Sequence, residues 1–325
     1  MHRRAVAMAL LATAALTMGS SGASRAEDAY PSRVVKFVVP FAAGSATDTL
    51  ARVLGEKMSA SLGQPVVVDN MPGASGFLAA QNVARAEPDG YTVLIATNTT
   101  HAANQSLFKR LPYDPVADFA PVGKLGTITL ALVVNPAVPA TTVPELIAYA
   151  KDHPGEVTFG SGTSSSRIAG EMLKSLAGID LLNVPYKSNP QAITDLLGGQ
   201  ISMVFADIAT TLPQAEAGKV KALAVSSPER TRLAPDLPTM REAGVAGYDL
   251  TAWFAAFVPA GTPVEVIDRL NAAFVAALAD PTATKTLLDA GIEPATSTPT
   301  ELAAFVGTET EKWASIVKSA GIEPE

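Results

Sequence analysis

The sequence has 325 residues, 48% of them hydrophobic and 17% charged, which is about two typical domains of ~150 residues and far from a disordered composition. It contains no cysteine and three histidines, which excludes a disulfide framework, a thiolate zinc site, a cysteine nucleophile, a lipidated N-terminal cysteine and a zinc hydrolase built on clustered His. The net charge is −7 with Lys and Arg scattered, which leaves no footprint for nucleic acid and no attraction to anionic lipid.

The first element, residues 1–26, reads as an export signal. His2-Arg3-Arg4 is a basic start, Ala5 to Met18 is an apolar run too short to span a bilayer, and Ser24-Arg25-Ala26 is a small-x-small cleavage site. Cleavage is expected after Ala26, which sends a mature chain beginning at Glu27 to the periplasm. Removing Arg3, Arg4 and Arg25 takes the net charge from −7 to −10. Any anion site must then be local, built from helix N-termini and a few side chains.

Beyond the signal, short apolar runs alternate with longer amphipathic ones. The predicted strands are Val34–Val39, Val66–Val68, Thr92–Ala96, Leu130–Val134, Val157–Phe159, Leu181–Val184, Met203–Phe205, Ala222–Val225 and Trp253–Val258. Their near-continuous apolarity is that of strands buried on both faces. The predicted helices are Ala46–Ala60, Ser75–Arg85, Val143–His153, Ser165–Leu176, Pro190–Leu197, Pro213–Ala217, Pro263–Leu278, Pro281–Ala290 and Pro299–Ser319. Several open at Pro or after Ser, Thr or Asp, and several close at Gly178, Gly198 or Gly291. This alternation predicts an α/β fold with mostly parallel sheets. There is no floppy linker and no fixed-period repeat, so two domains should be joined by several ordered crossings, one domain being discontinuous.

Two places share a local pattern. The first strand runs through Pro40-Phe41-Ala42-Ala43-Gly44-Ser45-Ala46-Thr47-Asp48 into a helix. A later strand runs through Gly160-Ser161-Gly162-Thr163-Ser164-Ser165-Ser166-Arg167 into another. Small residues admit a ligand close to the backbone, and the first N–H groups of a helix have no intrahelical partner. A carboxylate suits such a place, because the helix end carries about half a positive charge. Two such turns facing each other would grip a carboxylate; the other reading is a pair of ordinary strand-to-helix turns. Candidate contacts here are Ala43, Ser45, Thr47 and Asp48 in the first turn, with Phe41 as an apolar wall, and Ser161, Thr163, Ser165 and Ser166 in the second. Strand ends add Asn98 and Thr99, beside Thr100, at the carboxyl edge where open α/β sheets bind ligands. Asp207 also ends a strand, either to accept from a ligand hydroxyl or ammonium or to cap the next helix. His101 and His153 read as surface or capping residues, and Trp253 lies where a return crossing is expected.

These residues also carry a resemblance. The first turn, Asn70-Met71-Pro72-Gly73-Ala74-Ser75-Gly76, Pro88-Asp89-Gly90-Tyr91-Thr92, Leu111-Pro112-Tyr113-Asp114-Pro115 and Val184-Pro185-Tyr186-Lys187 resemble, in order, the substrate-binding receptors of tripartite tricarboxylate transporters, the Bug-type extracytoplasmic solute receptors. So do Leu196-Leu197-Gly198-Gly199-Gln200, Ala217-Gly218-Lys219-Val220-Lys221 and Pro259-Ala260-Gly261-Thr262-Pro263. The resemblance covers essentially the whole mature chain. It implies a two-lobed Venus-flytrap of the type II periplasmic-binding-protein fold, with two crossing strands as hinge. Lobe 1 would be residues 27–125 and 251–325, and lobe 2 residues 126–250. It also implies a small organic carboxylate held by the two turns, with Tyr186 among the ligand contacts, and delivery to membrane permease subunits. A monomer without cofactor, metal or nucleic acid is expected.

Two departures from the family pattern stand out. Arg167 occupies a place where the family often has His, and is either a charged ligand anchor or a helix-surface partner of Glu171. Asn189 follows Lys187-Ser188 where small residues are usual, and reads as a cap before Pro190 more than as a ligand contact. The rival class is a periplasmic serine acyl-enzyme related to β-lactamases. Ser106-Leu107-Phe108-Lys109 and Ser315-Ile316-Val317-Lys318 match S-x-x-K, but the companion Ser-Asp-Asn and Lys-Thr-Gly motifs and a Gly-x-Ser-x-Gly elbow are absent.

Overall fold

The apolar runs become the strands of two sheets, and the amphipathic runs become helices on both faces of each. A computed structural model describes residues 30–319 and 321–324, so the expected export signal and its cleavage site lie outside the described residues. In chain order come β1 (Val35–Val39), α1 (Ala46–Leu62), β2 (Val66–Asn70), α2 (Phe77–Ala84), β3 (Thr92–Thr97), a π-helical turn Thr99–Ala103, α3 (Asn104–Leu107) and β4 (Phe119–Ile128). They are followed by β5 (Leu130–Val134), α4 (Val143–Asp152), β6 (Thr158–Ser161), α5 (Ser164–Ala177), β7 (Leu182–Pro185), α6 (Asn189–Leu197), β8 (Met203–Asp207), α7 (Ile208–Glu216) and β9 (Lys221–Val225). The chain then returns through β10 (Ala252–Pro259), α8 (Val264–Ala279), α9 (Pro281–Asp289), β11 (Ile292–Pro294) and α10 (Pro299–Ser319).

The six-stranded sheet has the order β11-β4-β10-β3-β1-β2, and the five-stranded sheet β7-β6-β8-β5-β9. The chain leaves the first sheet for the second across Thr129 and re-enters it at Ala252. Each lobe buries its sheet on both sides. In the first, Val35, Phe37 and Val39 pack with α1 and α8, while Val38 and Leu94 face α2 and α10. In the second, Ala131, Val133 and Val204 pack with α6, while Leu132 and Phe205 pack with α4 and α5.

Three expectations need correction. The sheets are mixed, not mostly parallel: β1 pairs parallel with β2 and β3, and β6 with β7 and β8, but β10 and β5 run antiparallel to both their neighbours. The crossings explain this, because β5 and β10 begin where the chain has just passed between lobes, while β1, β3, β6 and β8 end there. α7 starts at Ile208 with Pro213 inside it, not at Pro213. His101 is fully buried in the π-helical turn, stacked 3.9 Å from Phe257 and edge-on to Phe119. Burial holds its imidazole neutral, down to about 3 from its ordinary value. His153 does cap α4, its Nδ1 lying 2.9 Å from the Tyr149 carbonyl.

Trp253 and Trp313 both donate from Nε1 to Glu309 Oε2, at 2.9 and 3.1 Å. This ties the returning strand to α10 behind the crossing. Lys312, also on α10, reaches Asp249 of the connecting segment at 3.4 Å.

Candidate ligand-binding cleft

The carboxyl ends of β1, β3, β6 and β8 meet between the lobes, where open α/β sheets take ligands. The first turn leaves β1 at Pro40 and enters α1 through Ser45, whose hydroxyl accepts from Asp48 N–H at 3.3 Å. Gly44 has φ +81, a conformation L side chains avoid, and points its N–H at Asp48 Oδ2, 2.9 Å away. Asp48 also accepts from Asn70 Nδ2 at 2.9 Å and forms a two-point pair with Arg52. Asn70 in turn donates to the Phe41 carbonyl at 3.0 Å. Burial works to raise the Asp48 carboxyl, but hydrogen bonds from Arg52, Gly44 and Asn70 outweigh it and hold the group below its usual range. Asp48 is thus the brace of the turn.

The second turn is tighter. Thr163 caps α5 and exchanges hydrogen bonds with Ser166, a capping box built from two hydroxyls. Ser166 Oγ also accepts from Gly162 N–H at 3.0 Å, and Asn189 Oδ1 accepts from the same N–H at 3.2 Å. Gly162 has no room for a side chain: a Cβ would sit 2.1 Å from Ser188 C and Asn189 N. The turn is therefore seated on the start of α6. This corrects the reading of Asn189 as a cap, since Ser188 holds that position and the Asn189 side chain serves the neighbouring turn.

The N-termini of α1, α5 and α6 thus converge. The N–H groups of Ala46, Thr47, Ser164, Ser165 and Asn189 have no acceptor in the protein among the described residues. The cavity between them is lined by Phe41, Ser45, Ala46 and Thr47 on one side and Thr163, Ser165, Ser188, Asn189 and Pro190 on the other. Thr97, Asn98 and Thr99 line its floor, Ile128, Leu130, Ala252 and Phe254 its crossing-strand wall, and Asp207 completes it. No Lys, Arg or His is among these residues. Within the lining, the groups that can attract an anion are backbone N–H dipoles at helix starts and hydroxyls, not a cationic side chain.

Asn98 holds the lobes together at the floor. Its Nδ2 donates to Ser165 Oγ of α5 at 2.8 Å, and its Oδ1 accepts from Trp253 N–H at 3.4 Å. Ser164 Oγ donates to Asn104 Oδ1 at 3.3 Å beside it.

Of the residues singled out in the sequence, Phe41, Ser45, Thr47, Asn98, Thr99, Thr163, Ser165 and Asp207 line this cavity. Ala43 is exposed and is not among the lining residues. Asp48 and Ser166 brace the turns from behind. Ser161 donates to Asn183 Oδ1 at 2.7 Å, and Tyr186 to Asp195 Oδ2 at 2.8 Å, both away from the cavity. Arg167 is not among the lining residues. Neither Ser106 nor Ser315 reaches the cleft. The contribution of Ser188 and Pro190 went unforeseen; the short Ser-Asn-Pro break before an apolar helix was its only signal.

A family model described as a tripartite tricarboxylate transporter family receptor matches residues 50–322. The chain belongs to this receptor family. BugT of Bordetella pertussis (strain Tohama I) is 33% identical over 317 residues, 96% of this chain and 97% of that one. The structure of R. palustris Rpa4515 with adipate has a TM-score of 0.88 and 36% identity, covering 91% of this chain and 100% of the other. MatC from Rhodopseudomonas palustris with bound malate has a TM-score of 0.82 and 35% identity, covering 89% and 100%. The receptor thus has the two-lobed binding-protein fold, and its relatives are solute receptors, not enzymes.

Proposed function

We propose that this receptor captures a small organic carboxylate between its lobes and delivers it to the membrane permease of a tripartite tricarboxylate transporter. The observation that carries the reading is the convergence of three helix N-termini with unpaired N–H groups on a cavity that contains no cation. Adipate and malate in the two structural relatives support it. Ligand contacts fall to Ser45, Thr47, Thr163, Ser165 and the adjacent N–H groups. Asp48, Ser161, Ser166 and Tyr186 act behind them.

Capture works through closure. Only the closed state lets one ligand touch both turns, so ligand favours that state by its differential affinity. We place the lobe boundaries at the crossings, so that β1–β4 with β10–α10 form lobe 1 and β5–β9 form lobe 2, with the hinge at Thr129 and just before Ala252. The closed surface is what the permease recognises. Both turns lie in one chain, so a monomer suffices. Export to the periplasm through cleavage after Ala26 fits the receptor role; N-terminal sequencing of the exported form checks it, and an uncleaved start would refute it.

The carboxylate reading is tested by a thermal-shift screen of small acids with their methyl esters. At a concentration ~100-fold above Kd, ligand adds about 2.7 kcal/mol of stability. Each charge-assisted hydrogen bond contributes roughly 1.5–3 kcal/mol, so the ester of a bound acid should lose orders of magnitude in affinity. An ester that binds as well as its acid would overturn the reading.

A further inference from the structure

Three adjacent serines open α5, and the protein uses their hydroxyls differently. Ser164 donates its hydrogen to Asn104 Oδ1 at 3.3 Å, and Ser166 donates to the Thr163 carbonyl at 2.9 Å. Ser165 does neither. Its Oγ accepts from Asn98 Nδ2 at 2.8 Å, and its own hydrogen has no acceptor among the described residues. A hydroxyl has one hydrogen and two lone pairs, so an Oγ that accepts from the protein still has that hydrogen to give. Ser165 is buried, and the space its side chain borders is the cavity. The sense of the Asn98 amide is not free to reverse. Its Oδ1 faces the backbone N–H of Trp253 at 3.4 Å, and a backbone N–H can only donate. Turning the amide over would set two donors against each other. Trp253 is itself pinned through its indole to Glu309 behind the crossing. Asn104 is set in the opposite sense by the Ser75 carbonyl, which takes its Nδ2 at 2.9 Å and leaves Oδ1 for Ser164. Two asparagines of lobe 1 thus give two neighbouring serines of lobe 2 opposite polarity.

We infer that Asn98 is a positioning residue that makes Ser165 a hydrogen-bond donor to the bound anion, and that it does so only when the lobes meet. Asn98 follows β3 in lobe 1 and Ser165 stands on α5 in lobe 2, so opening the cleft separates them. Closure then assembles a donor as well as bringing the two turns together. The occupant in this inference rests on the carboxylate reading; the polarity imposed on Ser165 does not.

Calorimetry with malate, succinate, adipate and glutamate tests the coupling. For any of these that binds, Ser165→Ala should weaken affinity roughly 10- to 100-fold, as one charge-assisted hydrogen bond implies. Asn98→Ala should weaken it roughly 3- to 10-fold in the native background and by less than about twofold in the Ser165→Ala background, because it acts through that hydroxyl. Asn98→Asp, which once ionised can only accept, should cost at least as much as Ser165→Ala. Additive losses would show that Asn98 touches the ligand by itself and would overturn the inference, as would an Asn98→Asp protein that binds like the native one. A second measurement needs no ligand and no change at Asn98. The protein has no cysteine, so Ser164→Cys and Ser165→Cys each carry a single thiol, on successive residues of one helix start. The amide hydrogen facing position 165 stabilises a thiolate, and the amide oxygen facing position 164 opposes one. The thiol of Ser165→Cys should therefore ionise at least about one pH unit lower than that of Ser164→Cys, read by thiolate absorbance. Equal or reversed values would overturn the polarity assignment. Binding of none of the acids would sink the carboxylate reading, and the thiol pair would still decide whether Asn98 sets Ser165.

Discussion

The two turns look alike in sequence and are built differently. Each is strand, small residues, helix. The first leaves Ala43 and Gly44 exposed, with open space around Gly44, and is held by a charged brace of Asp48, Arg52 and Asn70. The second is walled in, with Gly162 against α6 and a neutral brace of hydroxyls from Thr163 and Ser166. One jaw is fixed by packing and the other by charge. The same anion-binding backbone can thus be presented by two unrelated kinds of support.

Glycine substitutions should break this comparison most visibly. In Gly162→Ala the new Cβ meets backbone at 2.1 Å on both Ser188 and Asn189, and neither can yield like a flexible side chain. A loss of roughly 3 kcal/mol or more is expected, because the start of α6 must move. Gly44→Ala meets nothing within 4 Å and suffers only from φ +81, about 1–2 kcal/mol. Denaturant unfolding of both variants measures the difference, and equal losses would refute the claim that only the second turn is fixed by packing.

The braces come next. Asp48→Ala leaves the Gly44 N–H and the Asn70 amide short of an acceptor and should cost about 2–3 kcal/mol. Ser166→Ala removes a hydroxyl that accepts from two N–H groups, at about 1–2 kcal/mol. Salt separates them: the penalty of Asp48→Ala should shrink as ionic strength rises, since Arg52 is half exposed, while that of Ser166→Ala should not. A Ser166→Ala penalty that shrank equally with salt would erase the distinction.

Acids in the two lobes should also respond to pH in opposite senses. Asp48 is held below its ordinary value, so its contribution is present above about pH 4 and lost as pH falls through the native value. Asp207 is raised to about 6, so its ionisation penalises the native state increasingly as pH rises from about 4 through 6 and is absent below that range. Asp207→Asn should therefore stabilise the ligand-free protein by about 1–2 kcal/mol at pH 8 and change little at pH 4. Thermal unfolding at both pH values reads this, and a variant destabilised at pH 8 would show that Asp207 is paired in the native state.

Much of this was legible in the sequence. Continuous Val, Leu and Ile runs gave away nine strands: most are covered on both faces and need little else, while the edge strands β2 and β7 keep the apolar run although they are partly exposed. β4 escaped because Pro121, Gly123, Lys124 and Gly126 interrupt its apolar run. It is nonetheless interior to its sheet, with register shifts against β10. Two of its glycines are demanded by distant neighbours: a Cβ would meet Asn271 Nδ2 at 2.6 Å from Gly123 and the Glu293 carbonyl at 2.9 Å from Gly126. The parallel-sheet expectation failed because nothing local marks a strand that begins, not ends, at a crossing. The two turns were readable from their small residues, but the third helix end was not. Asn189 reaches Gly162 from 27 residues away, and only the folded chain brings them together. His101 follows the same rule: its surroundings, Phe119 and Phe257, come from β4 and β10.

The smallest effect is expected at Arg167, where the sequence left open an anchor for the ligand. The cavity takes Ser165 from α5, and Arg167, two residues further along the helix, is not on its wall. Its charge acts on Glu171, one turn on. Burial raises the Glu171 carboxyl, and the charges of Lys174 and Arg167 pull it back. An anchor would depend on the planar two-point fork that lysine lacks, whereas a charge acting along the helix survives the exchange. Arg167→Lys should therefore keep ligand affinity within about twofold. Arg167→His should bind equally well at pH 8, where the imidazole is neutral, because the helix N-termini need no cation behind them. Calorimetry of the three proteins with one acid at that pH decides it, and a tenfold weakening in the lysine variant would put the guanidinium at the ligand and make the second jaw, like the first, one that relies on charge.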